Sequence, residues 1–143
     1  MKNRLILPCE IAVKSVIPAI RAALAKELVE TYSLKQDQVA EILGVSQSAV
    51  SKYTRQVRGH VIEIDKTEGL QPHMKNMIKL LVNGSSKRTE FLALFCQMCI
   101  IVRENGLMCP FCQKTDPRIR LEDCGFCLTY NPTSNETRDR RKI

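Results

Sequence analysis

Aromatic residues are scarce in this 143-residue chain, at 5%, and tryptophan is absent. A core built from it must be mainly aliphatic. Long apolar runs are missing too. The longest, Phe91 to Val102, is interrupted by Gln97 and falls well short of the roughly 20 residues a membrane span needs. No stretch has the layout of a secretory signal, so the expectation is a cytoplasmic protein. There is no P-loop, no G-x-G-x-x-G and no G-x-S-x-G, and no repeat of solenoid period. The C-x3-C-x2-C spacing of radical initiators is absent. Only two histidines occur, His60 and His73, and neither forms an H-x-E pattern with the cysteines, which argues against a zinc deaminase. Nothing here points to an enzyme.

Acidic residues are the next shortage. Fifteen Asp and Glu face 22 Lys and Arg, giving a formal charge of +7. A small basic protein favours anionic partners, nucleic acid foremost. Apolar residues make up 44%, a globular level. Seven cysteines are present. In a reducing compartment they argue for metal or redox chemistry rather than a disulfide framework.

Hydrophobic spacing predicts a mostly α chain. Residues 9–32 carry helical periodicity through Val13, Val16, Ile17, Ile20, Ala23, Leu24 and Leu28. Pro18 inside that pattern predicts a kink or a fresh start. Residues 36–43 and 47–57 read as two short helices around Gly44. Residues 61–64 alternate briefly, as in a short strand within a connector. A helix is expected over 73–82, stopped by Asn83-Gly84. Another is expected over 86–104, capped by Ser85 or Ser86 and stopped by Asn105-Gly106. Its middle is apolar on nearly every side, which predicts burial all round and, in a small protein, a second copy as cover. The expected organisation is 1–60, a DNA-binding unit; 61–107, a helical connector and dimerisation region; 108–130, a cysteine-rich module completed by Cys96 and Cys99; and 131–143, a basic tail with Arg138, Arg140, Arg141 and Lys142.

The best-specified motif is "QDQVAEILGVSQSAVSKYTR", Gln36 to Arg55. A helix-turn-helix needs a small residue where its helices approach, and Ala40 is there. It needs a turn residue that tolerates positive φ, and Gly44 provides it. Val39, Leu43, Val45, Val50 and Tyr53 fill the inward positions, and Ser46 suits the second N-cap. The second helix is then the one to enter the major groove of double-stranded DNA. Gln47, Ser48 and Ser51 are candidate base or phosphate contacts; Lys52, Arg55 and Arg58 are candidate phosphate contacts.

The stretches "LPCEIAVKSVIPAIRAALAKELVE", "QVAEILGVSQSAVSKY" and "RG" resemble archaeal predicted transcriptional regulators with a lambda-repressor-like helix-turn-helix. The resemblance covers about the first sixty residues. It implies a DNA-binding regulator with a long helix ahead of the reading pair. A similar module is found fused to archaeal thiamine-phosphate synthase domains, but no domain of that size follows here.

The second constellation is "CQMCIIVRENGLMCPFC" followed by "CGFC": three C-x2-C pairs at Cys96 and Cys99, Cys109 and Cys112, and Cys124 and Cys127. Cys96 and Cys99 share one helix face with Leu92 and Arg103. The other two pairs read as turn-borne knuckles. Three chemistries fit: tetrahedral zinc, an iron–sulfur cluster such as [4Fe-4S], and a reversible dithiol switch. The apolar setting of the first pair favours iron–sulfur, and the knuckles favour zinc. Cys96, Cys99, Cys109 and Cys112 are the compact first choice of ligands, and Cys124 and Cys127 are able to replace either pair. Cys9 reads as a small buried residue opening a helix. Single histidines at 60 and 73 read as surface or connector residues. The expected function is a homodimeric DNA-binding regulator tuned by its metal centre. The alternatives are a constitutive regulator with structural zinc, and a redox protein that docks through its helix-turn-helix.

Overall fold

The computed structural model describes residues 6–55, 62–84, 88–120 and 124–129. It is mostly helical, and no strand occurs among those residues. The helices are α1 (Pro8–Lys14), α2 (Val16–Glu30), α3 (Gln36–Leu43), α4 (Gln47–Thr54), α5 (Gln71–Asn83), α6 (Arg88–Glu104), α7 (Cys109–Thr115) and α8 (Phe126–Thr129). A 3-10 turn at Ile64–Lys66 stands where the sequence suggested a short strand. Arg58, His60, Val61, Ser85, Ser86 and the basic tail lie outside the described residues.

The periodic segment 9–32 is two helices, and the break falls at Ser15 rather than at Pro18. Pro18 has no N–H to give to the Lys14 carbonyl, four residues earlier. The chain therefore restarts, with Pro18 in the first turn of α2, where no donor is missed. Buried Ser15 closes α1 by donating its hydroxyl to the Ile11 carbonyl at 2.7 Å. At the other end of α1 the Glu10 carboxylate accepts from the Leu7 N–H at 2.8 Å.

The centre of the molecule is α2. Val16, Ala19, Ile20, Ala22, Leu24, Ala25 and Leu28 are all buried. It packs against α1, α3, α4, α5, α6 and the 3-10 turn. The three buried alanines let neighbouring backbones come close. One continuous core runs from Ile11 through Val39, Val50 and Ile64 to Met77, Met98, Val102 and Met108. The core therefore does not divide near residue 60.

Helix α3 ends as its sequence requires. Gly44 takes the left-handed conformation at φ 68°. The Val45 N–H reaches the Ala40 carbonyl at 3.0 Å, and the Gly44 N–H reaches that of Glu41 at 3.3 Å. This double closure satisfies carbonyls the helix would otherwise leave open. Helix α5 stops the same way, at Gly84 with φ 63°.

Helix α6 departs from the expected burial. Only Met98 and Val102 are buried, while Leu92, Ala93 and Cys96 are exposed. Helices α2, α5 and α8 pack against it but leave these residues uncovered. The chain then turns through Asn105–Met108, with Gly106 at φ 74°, and α7 leaves α6 at 78°. No single helix among the described residues is long and apolar enough to cross a membrane.

A Cβ at Gly44 would meet no atom within 4 Å. Gly44→Ala is therefore expected to cost about 1–2 kcal/mol through backbone strain alone. Gly44→Asn should cost less, because asparagine tolerates this conformation. Thermal melts of the two variants check the order.

Candidate functional site

Two groups of residues have chemistry to offer. The first is the outer face of α4. Ser46 fixes where that helix begins: its hydroxyl oxygen accepts from the Ala49 N–H at 3.0 Å. Val39, Ala40, Ala49, Val50 and Tyr53 are buried, and Leu43 and Val45 are half-buried against the same core. These contacts set the roll of α4. Gln47, Ser48 and Arg55 are then exposed, while Ser51 and Lys52 are half-buried. The Arg55 Nε donates to the Ser51 carbonyl at 3.3 Å, which lays the guanidinium stem along the end of the helix. Four of the six predicted reading residues thus lie on one short helix, Arg55 caps its C-terminal end, and Arg58 is outside the described residues.

The second group is the cysteines, all seven of which are free thiols. Cys96 is exposed and Cys99 half-buried on α6. Cys109 and Cys112 lie on α7, so "CPFC" is a helical turn rather than the expected turn-borne knuckle. Cys127 is on α8, and Cys124 just precedes it. Cys9 is exposed, which corrects the expectation of burial. It does open α1, but in its first turn, where the side chain projects outward.

Arg103 was noted in the sequence only as sharing a helix face with Cys99. Its Nε donates to the Cys127 sulfur at 3.5 Å. Burial works against its charge, but that hydrogen bond and the charges of Cys127, Cys99 and Cys9 outweigh burial and hold it more firmly charged. No local signal foretells a contact across 24 residues.

Three thiols are held above their ordinary range, each chiefly by burial. For Cys99 burial outweighs the nearby Arg103, and Cys96 and Cys9 add to the rise. For Cys109 the charges of Cys127 and Cys124 add to burial. For Cys112 those of Cys127, Cys109 and Cys124 do so. The thiols therefore fall into two neighbourhoods: Cys9, Cys96 and Cys99; and Cys109, Cys112, Cys124 and Cys127. Among the described residues, no three His, Cys, Asp or Glu side chains stand close enough together to hold a metal ion. His73 turns its Nδ1 to the Gly69 carbonyl, at 3.2 Å.

No protein-family model matches the chain, and neither curated proteins nor solved structures give a match.

The raised thiols make a pH prediction. In the metal-free chain the folded state keeps protons that the unfolded state gives up around pH 9.0, the ordinary value for these groups. Stability falls wherever the folded state holds more protons. The melting temperature, measured with chelator and reductant, should therefore drop between about pH 8 and 10. Cys99→Ser/Cys109→Ser/Cys112→Ser should flatten the drop. An unchanged slope in that variant would assign the pH dependence to other groups.

Proposed function

We propose that the chain is a sequence-specific DNA-binding transcriptional regulator that reads the major groove through α4. The cysteine-rich pole carries a thiol-ligated metal centre, either an iron–sulfur cluster or zinc. The observation that carries the DNA reading is the α3–turn–α4 geometry. The Gly44 turn and the Ser46 cap lock two short helices together, and the packing of Val50 and Tyr53 rolls Gln47, Ser48 and Arg55 outward. This supports a helix-turn-helix reading. The net charge of +7 and the likeness of the first sixty residues to archaeal regulators point the same way.

Gln47 has the amide needed to pair with an adenine edge, while Lys52 and Arg55 suit phosphates. Base contacts specify and phosphate contacts position. Gln47→Ala should therefore cost about 1–3 kcal/mol of discrimination at a single base pair. Arg55→Ala should weaken all sequences alike and lower the salt dependence by about one counterion. Anisotropy titrations on a duplex selected from random sequence would check both. If selection enriches no duplex, the regulator reading fails.

The working unit is a homodimer. The partly open side of α6 supports this: Leu92 is 45% exposed, and Val82 on α5 is 43% exposed. Two reading helices about one DNA turn apart also suit a two-fold operator. Light scattering at micromolar concentration should give two copies, and Leu92→Lys should give one. Occupancy of the metal centre then regulates only if it favours one arrangement of the two reading heads over another.

A further inference from the structure

We propose that the cavity between α2, α4 and the 3-10 turn is an effector site for a small apolar α-amino acid. The site does not involve the cysteines. Its regulatory effect rests on the DNA reading above and names the class of ligand that tunes it.

The cavity has a volume of about 320 Å³. That is the lower end of the range for ligand sites and suits a small molecule. Ala19, Ala22, Ala23 and Lys26 make one wall, at positions that share a face of α2. The three alanines leave a trough because they fill so little of it. Tyr53 of α4 and residues 62–66 line the rest.

The distinguishing group is Tyr53. It is only 5% exposed, yet its hydroxyl has no hydrogen-bond partner among the described residues. A buried phenol ordinarily finds one. No fully enclosed side-chain oxygen or nitrogen lacks a partner among the described residues, so this oxygen opens onto the cavity that Tyr53 lines. The ring belongs to the core, which holds the hydroxyl there.

The charges around the cavity select the ligand. Lys66 is engaged, since its Nζ donates to the Glu63 carboxylate at 3.2 Å. Lys26 and Asp65 are paired more loosely, 3.9 Å apart and beyond hydrogen-bond reach. A lone carboxylate here would meet the charge of Asp65, and a lone amine that of Lys26. A zwitterion satisfies both. Its carboxylate accepts from the Lys26 ammonium and the Tyr53 hydroxyl, and its ammonium donates to the Asp65 carboxylate. Its apolar side chain lies along the alanines. An α-amino acid carries both charges close together, as such closely set partners require.

The ligand would tie Tyr53 to α2 and to the 3-10 turn. Tyr53 stands in the last turn of the reading helix. Occupancy therefore holds α4 in the roll that turns Gln47 and Ser48 outward, and operator affinity rises.

The test uses the full chain, with L-leucine and L-valine as probes. Amide NMR titration of the wild type should give saturable shifts at Ala19, Ala23, Tyr53 and Asp65. Isocaproate, which is leucine without its amine, and isoamylamine, which is leucine without its carboxylate, should each bind about tenfold more weakly or worse. Tyr53→Phe removes the hydroxyl and keeps the ring. It should weaken the amino acid about tenfold, and Lys26→Met about ten- to a hundredfold. Ala23→Leu should fill the trough and abolish binding. Failure of both amino acids to bind, isocaproate binding as tightly as leucine, or unchanged affinity in Tyr53→Phe and Lys26→Met would overturn the site. Operator titrations with and without L-leucine read the coupling, expected at about fivefold or more. Equal operator affinity in the two titrations would overturn the effector role. A chain that binds the amino acid in this cavity but selects no DNA keeps the ligand site and loses the regulator.

Discussion

The packing of α2 against five other helices is the constraint from which the rest follows. Its alanines at 19, 22 and 25 leave room for neighbours, and Ile20, Leu24 and Leu28 fill the space between them. A helix of fifteen residues that touches α1, α3, α4, α5 and α6 cannot shift for one partner without disturbing the others. Close-packed interiors transmit such shifts instead of absorbing them. The face of α4 and the bend between α6 and α7 are therefore fixed to one rigid element.

Features encoded within a few residues could be read from the sequence. The span 36–43 is α3, Gly44 is left-handed, and Ser46 caps α4. Asn83-Gly84 and Asn105-Gly106 end their helices, because a left-handed glycine is a property of the turn itself. Features that depend on what packs where could not be read. Pro18 announced a restart, yet the break falls at Ser15, where a buried hydroxyl finds the Ile11 carbonyl. The apolar girdle of α6 suggested burial all round, but periodicity counts apolar residues, not neighbours, and Leu92 has none on its outer side in one copy of the chain. The two residues inside "CPFC" suggested a turn, but Pro110 is equally at home in the first turn of a helix, and α7 begins there. The contact between Arg103 and Cys127 depends on the 78° bend, which no spacing rule predicts.

The cysteines are not remote from the reading helix. Helix α1 packs against both α2 and α7, and α2 in turn packs against α4. Cys109 and Cys112 are thus separated from the Gln47 face by two helices in contact. Proximity alone regulates nothing. A ligand shifts an equilibrium only by its difference in affinity for the two states. Here the two states differ most naturally in α7 and α8. Both are short, and neither contributes a fully buried side chain among the described residues.

That contrast bears on what the proposed metal would do. From Ile11 to Met108 the chain has an apolar core sufficient to hold its helices. Beyond Met108 it has short helices, exposed charges and thiols. Asp116 and Arg118 form one ion pair there, with Nε to carboxylate at 2.9 Å, but Arg118 is open to water, and such pairs contribute little. A segment of this composition gains its order from metal or from contact with the rest of the molecule. If metal supplies it, occupancy decides whether α7 and α8 present one surface to α1 and α6 or many. A centre that only folded its own loop could sit anywhere on the chain. The thiol-rich segment lies where α6, which packs against α2, gives way to α7, which packs against α1. Order gained or lost in α7 and α8 would therefore reach α4 only through α1, α6 and α2.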